Sequence, residues 1–144
     1  MKTAHLLIGL TLLGGGCTTA APSATSAAYG NALEDMFGGV SQDKSDRIAA
    51  TLAGKALGSA ENPVRANMPQ GQRAYLSRLR CDNGRAPTFE RRGSAGMSPY
   101  GMVVDAYAVV CAGSKPASSV IYIDMYHPAH IETAAPPGFG IVAP

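Results

Sequence analysis

Two alternating segments near the C-terminal end constrain the fold of this chain more than any other feature. Residues 102–111, MVVDAYAVVC, and 120–127, VIYIDMYH, alternate between aliphatic side chains and a second set that includes aspartate and tyrosine. Such alternation is typical of β-strands that bury one face. Residues 112–119 contain glycine, proline and serine and predict a turn, so we expect the two strands to pair in one antiparallel sheet.

The alternation also predicts which face of each strand is buried. We assign the aliphatic set to a core beneath the helices: Met102, Val104, Ala106, Ala108, Val110, Ile121, Ile123 and Met125. The opposite face would then carry Asp105 and Asp124. These carboxylates could face each other across neighbouring strands, although hydrogen bonds between the aspartates and tyrosines of that face are the plainer interpretation.

The remaining folded part divides into further predicted elements. Helical spacing predicts one helix at 31–37 and a second that begins at 41–43 and ends at a Gly58 cap. Alternation predicts strands at 74–81 and around Phe89. The segments expected between and after these elements are a connector at 61–72, a turn at 82–84, a flexible loop at 93–101 and an extended piece at 138–142. This order predicts an α+β fold, with two N-terminal helices packed on one face of a small antiparallel sheet of about four strands.

The composition limits both the core and the partners of this chain. Charged residues make up 15% of its 144 residues, tryptophan is absent, and 17 glycines and 10 prolines favour turns, so we expect a small core. The formal net charge is only +2, and aromatic residues make up 6%. Neither value favours nucleic-acid binding, which depends on a basic surface.

The N-terminal segment has the parts of an export signal. Lys2 provides a positive charge, residues 6–13 form an apolar run, and small residues follow. The run is too short to cross a bilayer as a helix, which requires about 20 apolar residues. We therefore predict a signal peptide over residues 1–16.

The residues that precede Cys17 resemble the lipobox of bacterial lipoprotein precursors. Gly15 and Gly16 match the small residues found before the lipid-modified cysteine of that family, whereas Leu13 stands one position earlier than the usual leucine. The resemblance implies that the sulfur of Cys17 is lipidated and that the chain is anchored in the bacterial cell envelope. Ordinary signal cleavage after Ala20 is the alternative, and it would remove Cys17.

The residues after Cys17 predict how the anchor is joined to the folded part. Residues 18–28 contain no charge and no large side chain, a composition typical of a flexible segment. We predict a lipidated tether over 17–29 and a single domain over 30–144. Thr18 replaces the aspartate that retains lipoproteins of this family in the inner membrane, so the resemblance implies the outer membrane, facing the periplasm.

The other two cysteines indicate a disulfide. Cys81 and Cys111 remain after either cleavage route, and an isolated pair in an oxidising compartment is typically bonded. Two buried free thiols are the alternative.

Four side chains near the end of the last strand are of types that bind metal ions: Asp124, His127, His130 and Glu132. Pro128 prevents the helix on which zinc proteases place two histidines four residues apart. Histidines in a proline-containing turn are more often solvated, so we predict neither a metal nor another cofactor.

A group of arginines predicts an anion-binding surface. Between residues 73 and 92 there are six arginines but only Asp82 and Glu90 as acidic residues. Guanidinium groups bind carboxylate or phosphate through paired hydrogen bonds. The candidate anion-binding residues are Arg73, Arg78, Arg80, Arg91 and Arg92. We expect Arg78 and Arg80 to project from one strand face, towards an anionic envelope component or a protein partner; a solubilising face is the alternative.

No nucleophile motif indicates catalysis in this chain, and we assign no catalytic residue. We therefore predict an envelope protein that serves as a non-catalytic binding module. An inhibitor of a secreted enzyme, such as a lysozyme or a protease, is the first alternative. A small hydrolase that uses His127 is the second.

Overall fold

The computed structural model describes residues 38–144, which form the predicted α+β fold. The helices are α1 (Gln42–Thr51) and α2 (Met68–Arg78), and the strands are β1 (Val64–Arg65), β2 (Leu79–Arg80), β3 (Thr88–Met97), β4 (Val103–Val110), β5 (Ser118–Asp124) and β6 (Gly140–Ile141). The predicted signal peptide, Cys17, the tether and the helix at 31–37 lie outside the described residues.

Four of the strands form a mixed sheet in the order β1-β5-β4-β3. β3, β4 and β5 are antiparallel neighbours, as predicted for the main strands, whereas the short β1 joins β5 in parallel. β2 and β6 form a separate two-stranded sheet, so the extended piece predicted at 138–142 contains a strand. Among residues 38–144, no helix is long and apolar enough to cross a membrane.

The strand predicted at 74–81 is wrong over most of its length, because α2 continues to Arg78. Tyr75, Leu76 and Leu79 are all buried, and this spacing fits one face of a helix, whereas a strand would place Tyr75 and Leu76 on opposite faces. Pro69 lies in the first turn of α2, where proline favours the start of a helix. The segment predicted as a connector therefore contains the first turns of the second described helix.

Two other predicted boundaries differ from those in the structure. α1 ends at Thr51 rather than at Gly58, and the chain continues in turns in which the Asn62 side chain donates to the Lys55 carbonyl at 2.9 Å. The flexible loop predicted at 93–101 is partly strand, because β3 extends to Met97 through two irregularities of register. Gly93 lies in one of them with φ of 128°, a conformation that favours glycine.

The core lies between α2 and one face of the large sheet. Its buried residues are Val64, Ala66, Tyr75, Leu76, Leu79, Tyr107, Val109, Ile121 and Ile123. The aliphatic residues of β5 face the core as predicted. The predicted core face of β4 is wrong, since Tyr107 lies opposite Ile121 and residues directly opposite each other share a face. Val110, assigned to the core from the sequence, is 44% exposed.

The same register separates the two aspartates that the sequence suggested as a pair. Asp105 lies opposite Ile123, and Asp124 lies opposite Val104, so their side chains project from opposite faces of the sheet. The register therefore excludes the alternative in which these carboxylates face each other.

The predicted disulfide is confirmed. Cys81 and Cys111 are bonded, with their Cα atoms 5.7 Å apart. Both cysteines are buried, and each directly follows a strand, β2 in one case and β4 in the other. The bond therefore joins the two sheets where those strands end.

Candidate functional site

A groove of about 440 Å³ lies between α2 and residues 130–132. Its walls are mainly apolar, and its volume falls in the range of small-molecule sites. The lining residues include Gly71 and Ala74 from α2, the exposed Ile131, and four charged or titratable side chains: Arg65, Arg78, His130 and Glu132. Polar groups that converge on an apolar groove make this the candidate binding site.

α2 forms one wall of the groove largely through small side chains. Leu76 is buried in the core, and Tyr75, which is also buried, lines the groove together with the small residues Gly71, Ala74 and Ser77. The hydroxyl of Tyr75 donates to the Ala134 carbonyl at 3.0 Å, and this bond ties α2 to the segment that directly follows the opposite wall. The packing of the core therefore fixes the separation between the walls.

Arg78 bonds only uncharged groups among the described residues. Its Nη2 donates to the Glu132 carbonyl at 2.5 Å, and its Nη1 lies 3.4 Å from the Val142 carbonyl. The guanidinium also lies 5.7 Å from the centre of the Tyr75 ring. Within residues 38–144 no carboxylate lies within ion-pair distance of Arg78, so its positive charge is not neutralised locally.

Arg65 connects the groove to a buried polar network. Its side chain is only 13% exposed, and its Nη1 donates to the Asp46 carboxylate at 2.8 Å and to the Ser45 hydroxyl at 2.9 Å. The bond from Arg65, together with one from Gln42, holds the pKa of Asp46 below its usual value. The charge of Arg65 is therefore already compensated.

Both carboxylate oxygens of Glu132 also have partners within the protein. One of its carboxylate oxygens accepts the backbone N–H groups of Thr133 and Ala134 at 3.1 Å, and the other lies 3.2 Å from Nε2 of His130. Burial favours the neutral acid, but the bonds from His130 and the backbone outweigh it and hold the pKa of Glu132 below its usual value. Glu132 is therefore an ionised wall residue with both oxygens engaged.

The buried network begins at Ser45 of α1. The Ser45 hydroxyl lies 2.9 Å from Nδ1 of His127, and Nε2 of His127 lies 3.5 Å from the carboxylate of Asp124. The other oxygen of Asp124 accepts a bond from the Ser98 hydroxyl at 2.5 Å. The ring of Tyr100 packs edge-on against His127, with ring centres 4.6 Å apart.

This order of serine, histidine and aspartate is the order that nucleophilic catalysis uses. Ser45, His127 and Asp124 are, however, almost entirely buried, so a substrate has no access to the serine hydroxyl. Arg65 also donates a hydrogen bond to that hydroxyl, which lowers its nucleophilicity. We therefore interpret the network as structural: it joins α1 to β1 and to the end of β5.

The metal-ligand candidates divide into two pairs. His127 lies beside Asp124 in the buried network, whereas His130 lies beside Glu132 at the groove. Among residues 38–144, no three His, Cys, Asp or Glu side chains are placed to hold one metal ion.

The predicted arginine surface is dispersed. Arg78 ends α2 and Arg80 lies in β2, so the expectation that both project from one strand face is wrong. Arg91 of β3 binds Asp105 with two bonds, at 2.6 and 2.9 Å. Arg73 and Arg92 are exposed. Of the five candidates, only Arg78 lines the groove.

Sequence reasoning missed Arg65 and Ser45. Ser45 lies 82 residues before His127, and no local pattern links the two.

Comparison with protein-family models, curated proteins and solved structures gives no significant match, so the groove and the buried network are interpreted from their own chemistry.

Proposed function

We propose that the protein is an exported, lipid-anchored protein of the cell envelope that serves as a non-catalytic binding module, with its ligand in the groove beside α2. The observation that carries the binding role is an apolar groove of about 440 Å³ on which Arg65, Arg78, His130 and Glu132 converge. The disulfide supports an oxidising compartment, and the resemblance to lipoprotein precursors at Cys17 supports the anchor.

The anchor is tested by the substitution Cys17→Ser. The variant should lose its acyl chains and leave the membrane fraction, since sulfur is the attachment atom and acyl burial supplies the membrane affinity. Fractionation and intact mass measure both effects, and Ser23→Ala in the predicted tether is the matched control. Unchanged mass and membrane association of the Cys17→Ser variant would contradict the anchor.

The binding role is tested by filling the groove. Ala74 is an exposed lining residue of α2, so Ala74→Trp should obstruct the groove without disturbing the core. Ala50 is an exposed residue of α1, so Ala50→Trp adds the same side chain away from the groove and is the matched control. Titration with the neutral apolar dye Nile red should show saturable binding that Ala74→Trp weakens about tenfold or more, which corresponds to about 1.4 kcal/mol. Equal binding by both tryptophan variants would contradict a ligand site in this groove.

A further inference from the structure

We infer that the ligand of the groove is an apolar molecule with a single carboxylate, and that Arg78 binds this carboxylate. The inference rests on the proposed function, because it names the class of ligand that the same groove would take. Its basis is the distribution of charge and of unused hydrogen-bond donors along the groove.

The hydrogen bonding of the charged lining residues favours an anion at Arg78. Arg65 is paired with Asp46, and Glu132 uses both carboxylate oxygens in contacts to His130 and the backbone. Among the described residues, the hydrogen bonds of the Arg78 guanidinium go only to the carbonyl groups of Glu132 and Val142. Arg78 is therefore a charged lining group whose donors are not all used within residues 38–144, and an apolar environment strengthens the attraction of its guanidinium for an anion.

The geometry of the Arg78 contacts leaves donors for a ligand. A guanidinium has five N–H groups in a planar fork that fits a carboxylate. Among the described residues Arg78 makes one short bond, to Glu132, and one long contact of 3.4 Å, to Val142. Its remaining N–H groups have no partner in residues 38–144, so a carboxylate can bind without displacing the short bond.

The rest of the groove favours an alkyl chain over a second polar group. Ile131 is 67% exposed on one wall. On the other wall Gly71 and Ala74 offer no polar side chain, and the hydroxyl of Ser77 already donates to the Ala74 carbonyl at 2.9 Å. Covering Ile131 removes apolar surface from water, which is favourable in proportion to the area covered. A long-chain carboxylate would satisfy both the cation and the apolar wall.

Arg80 provides a matched control for Arg78. Its Nη1 also donates to backbone carbonyls, those of Ser77 at 3.0 Å and Leu79 at 2.6 Å. It is partly buried, as Arg78 is, but it does not line the groove. The substitutions Arg78→Gln and Arg80→Gln therefore remove the same charge from similar surroundings, and only the first removes it from the proposed site.

The experiment is calorimetric titration of the full chain bearing Cys17→Ser with sodium decanoate and with 1-decanol, at low salt. Decanoate should bind about tenfold more tightly than decanol, because only the carboxylate pairs with Arg78. Arg78→Gln should weaken decanoate binding about tenfold and leave decanol binding within twofold, whereas Arg80→Gln should leave both within twofold. The affinity of decanoate should also fall as salt is added, since partly exposed charges are screened.

Four outcomes would overturn the inference. Equal effects of Arg78→Gln and Arg80→Gln would remove Arg78 from the site. Equal affinity for decanol and decanoate, with both weakened by Ala74→Trp, would overturn the carboxylate assignment while supporting the proposed groove. Binding to phosphatidylglycerol vesicles without binding to monomeric decanoate would indicate attraction to an anionic surface instead. If neither Nile red nor decanoate binds, both the inference and the proposed binding role fail.

Discussion

Two neighbouring strands of the large sheet each carry a buried aspartate, and the two aspartates are stabilised in different ways. Asp105 of β4 and Asp124 of β5 project from opposite faces of the sheet. Each is the centre of a buried polar network. Asp105 is stabilised by a direct ion pair with an arginine, whereas Asp124 is stabilised without one.

Asp105 has a redundant set of partners. Arg91 donates two hydrogen bonds to its carboxylate, and the Gln72 amide donates a third at 3.0 Å while accepting from the Tyr107 hydroxyl at 2.8 Å. The bonds from Arg91 are the main reason that the pKa of Asp105 lies below its usual value. Loss of one partner would leave the carboxylate with the others.

Asp124 depends on neutral donors and on one histidine. It accepts bonds from the Ser98 hydroxyl and from the backbone N–H of Tyr126 at 3.0 Å. Nε2 of His127 lies 3.5 Å away, which is too long for a good hydrogen bond. Because each group of this network has few partners, we expect it to tolerate substitution less well than the Asp105 network.

The largest expected effect is from His127→Ala. The substitution creates a cavity beside Tyr100 and removes a partner from both Ser45 and Asp124, so unfolding free energy should fall by about 3 kcal/mol. Gln72→Ala is the matched change in the other network and should cost about 1–2 kcal/mol, because Arg91 still binds Asp105. Urea denaturation measures both values, and equal losses would refute the proposed difference in redundancy.

A smaller effect is expected from Ser98→Ala. The hydroxyl of Ser98 donates to fully buried Asp124 and accepts from the Tyr100 backbone N–H at 3.1 Å. Its removal should lower the unfolding free energy by about 1–2 kcal/mol. Ser94→Ala, at an exposed serine that contacts Arg91 at 3.3 Å, should change stability by less than about 0.5 kcal/mol. Similar urea midpoints for the two variants would contradict the importance of the Ser98 bond.

The smallest effect at neutral pH is expected from Arg91→Gln, and its pH dependence distinguishes the two networks. The lowered pKa of Asp105 stabilises the folded state above the unfolded carboxyl pKa of about 3.9, and this stabilisation is lost as pH falls through the folded value.

Wild type should therefore be more stable than Arg91→Gln by a constant amount above about pH 5, and the difference should shrink below about pH 4. Urea midpoints of both proteins between pH 2 and 7 measure this difference in stability. Arg92→Gln, at the neighbouring exposed arginine, should show no such difference. A pH-independent gap for Arg91→Gln would mean that the ion pair is not its cause.

Much of the fold was predictable because it depends on local patterns. Alternation identified β4 and β5, glycine and asparagine at 82–84 identified the turn before β3, and the two cysteines of the described part identified the disulfide. Segment 74–81 was predicted wrongly as a strand, although Tyr75, Leu76 and Leu79 have the spacing of one helix face and an alternating strand would separate Tyr75 from Leu76. Of the candidate site, Arg78, His130 and Glu132 were singled out from the sequence, but as members of two unrelated groups.

The sequence by itself determined the class of fold, the two central strands and the cysteine pairing. The fold class and the strands follow from short-range periodicity. The pairing follows because Cys81 and Cys111 are the two cysteines that remain after either cleavage route. The tertiary structure alone decided which face of β4 is buried, because that depends on its register with β5. It also brought Ser45 to His127 across 82 residues and separated Arg78 from Arg80, with only the former at the groove. These contacts depend on how distant elements pack against each other, and no local sequence pattern records that packing.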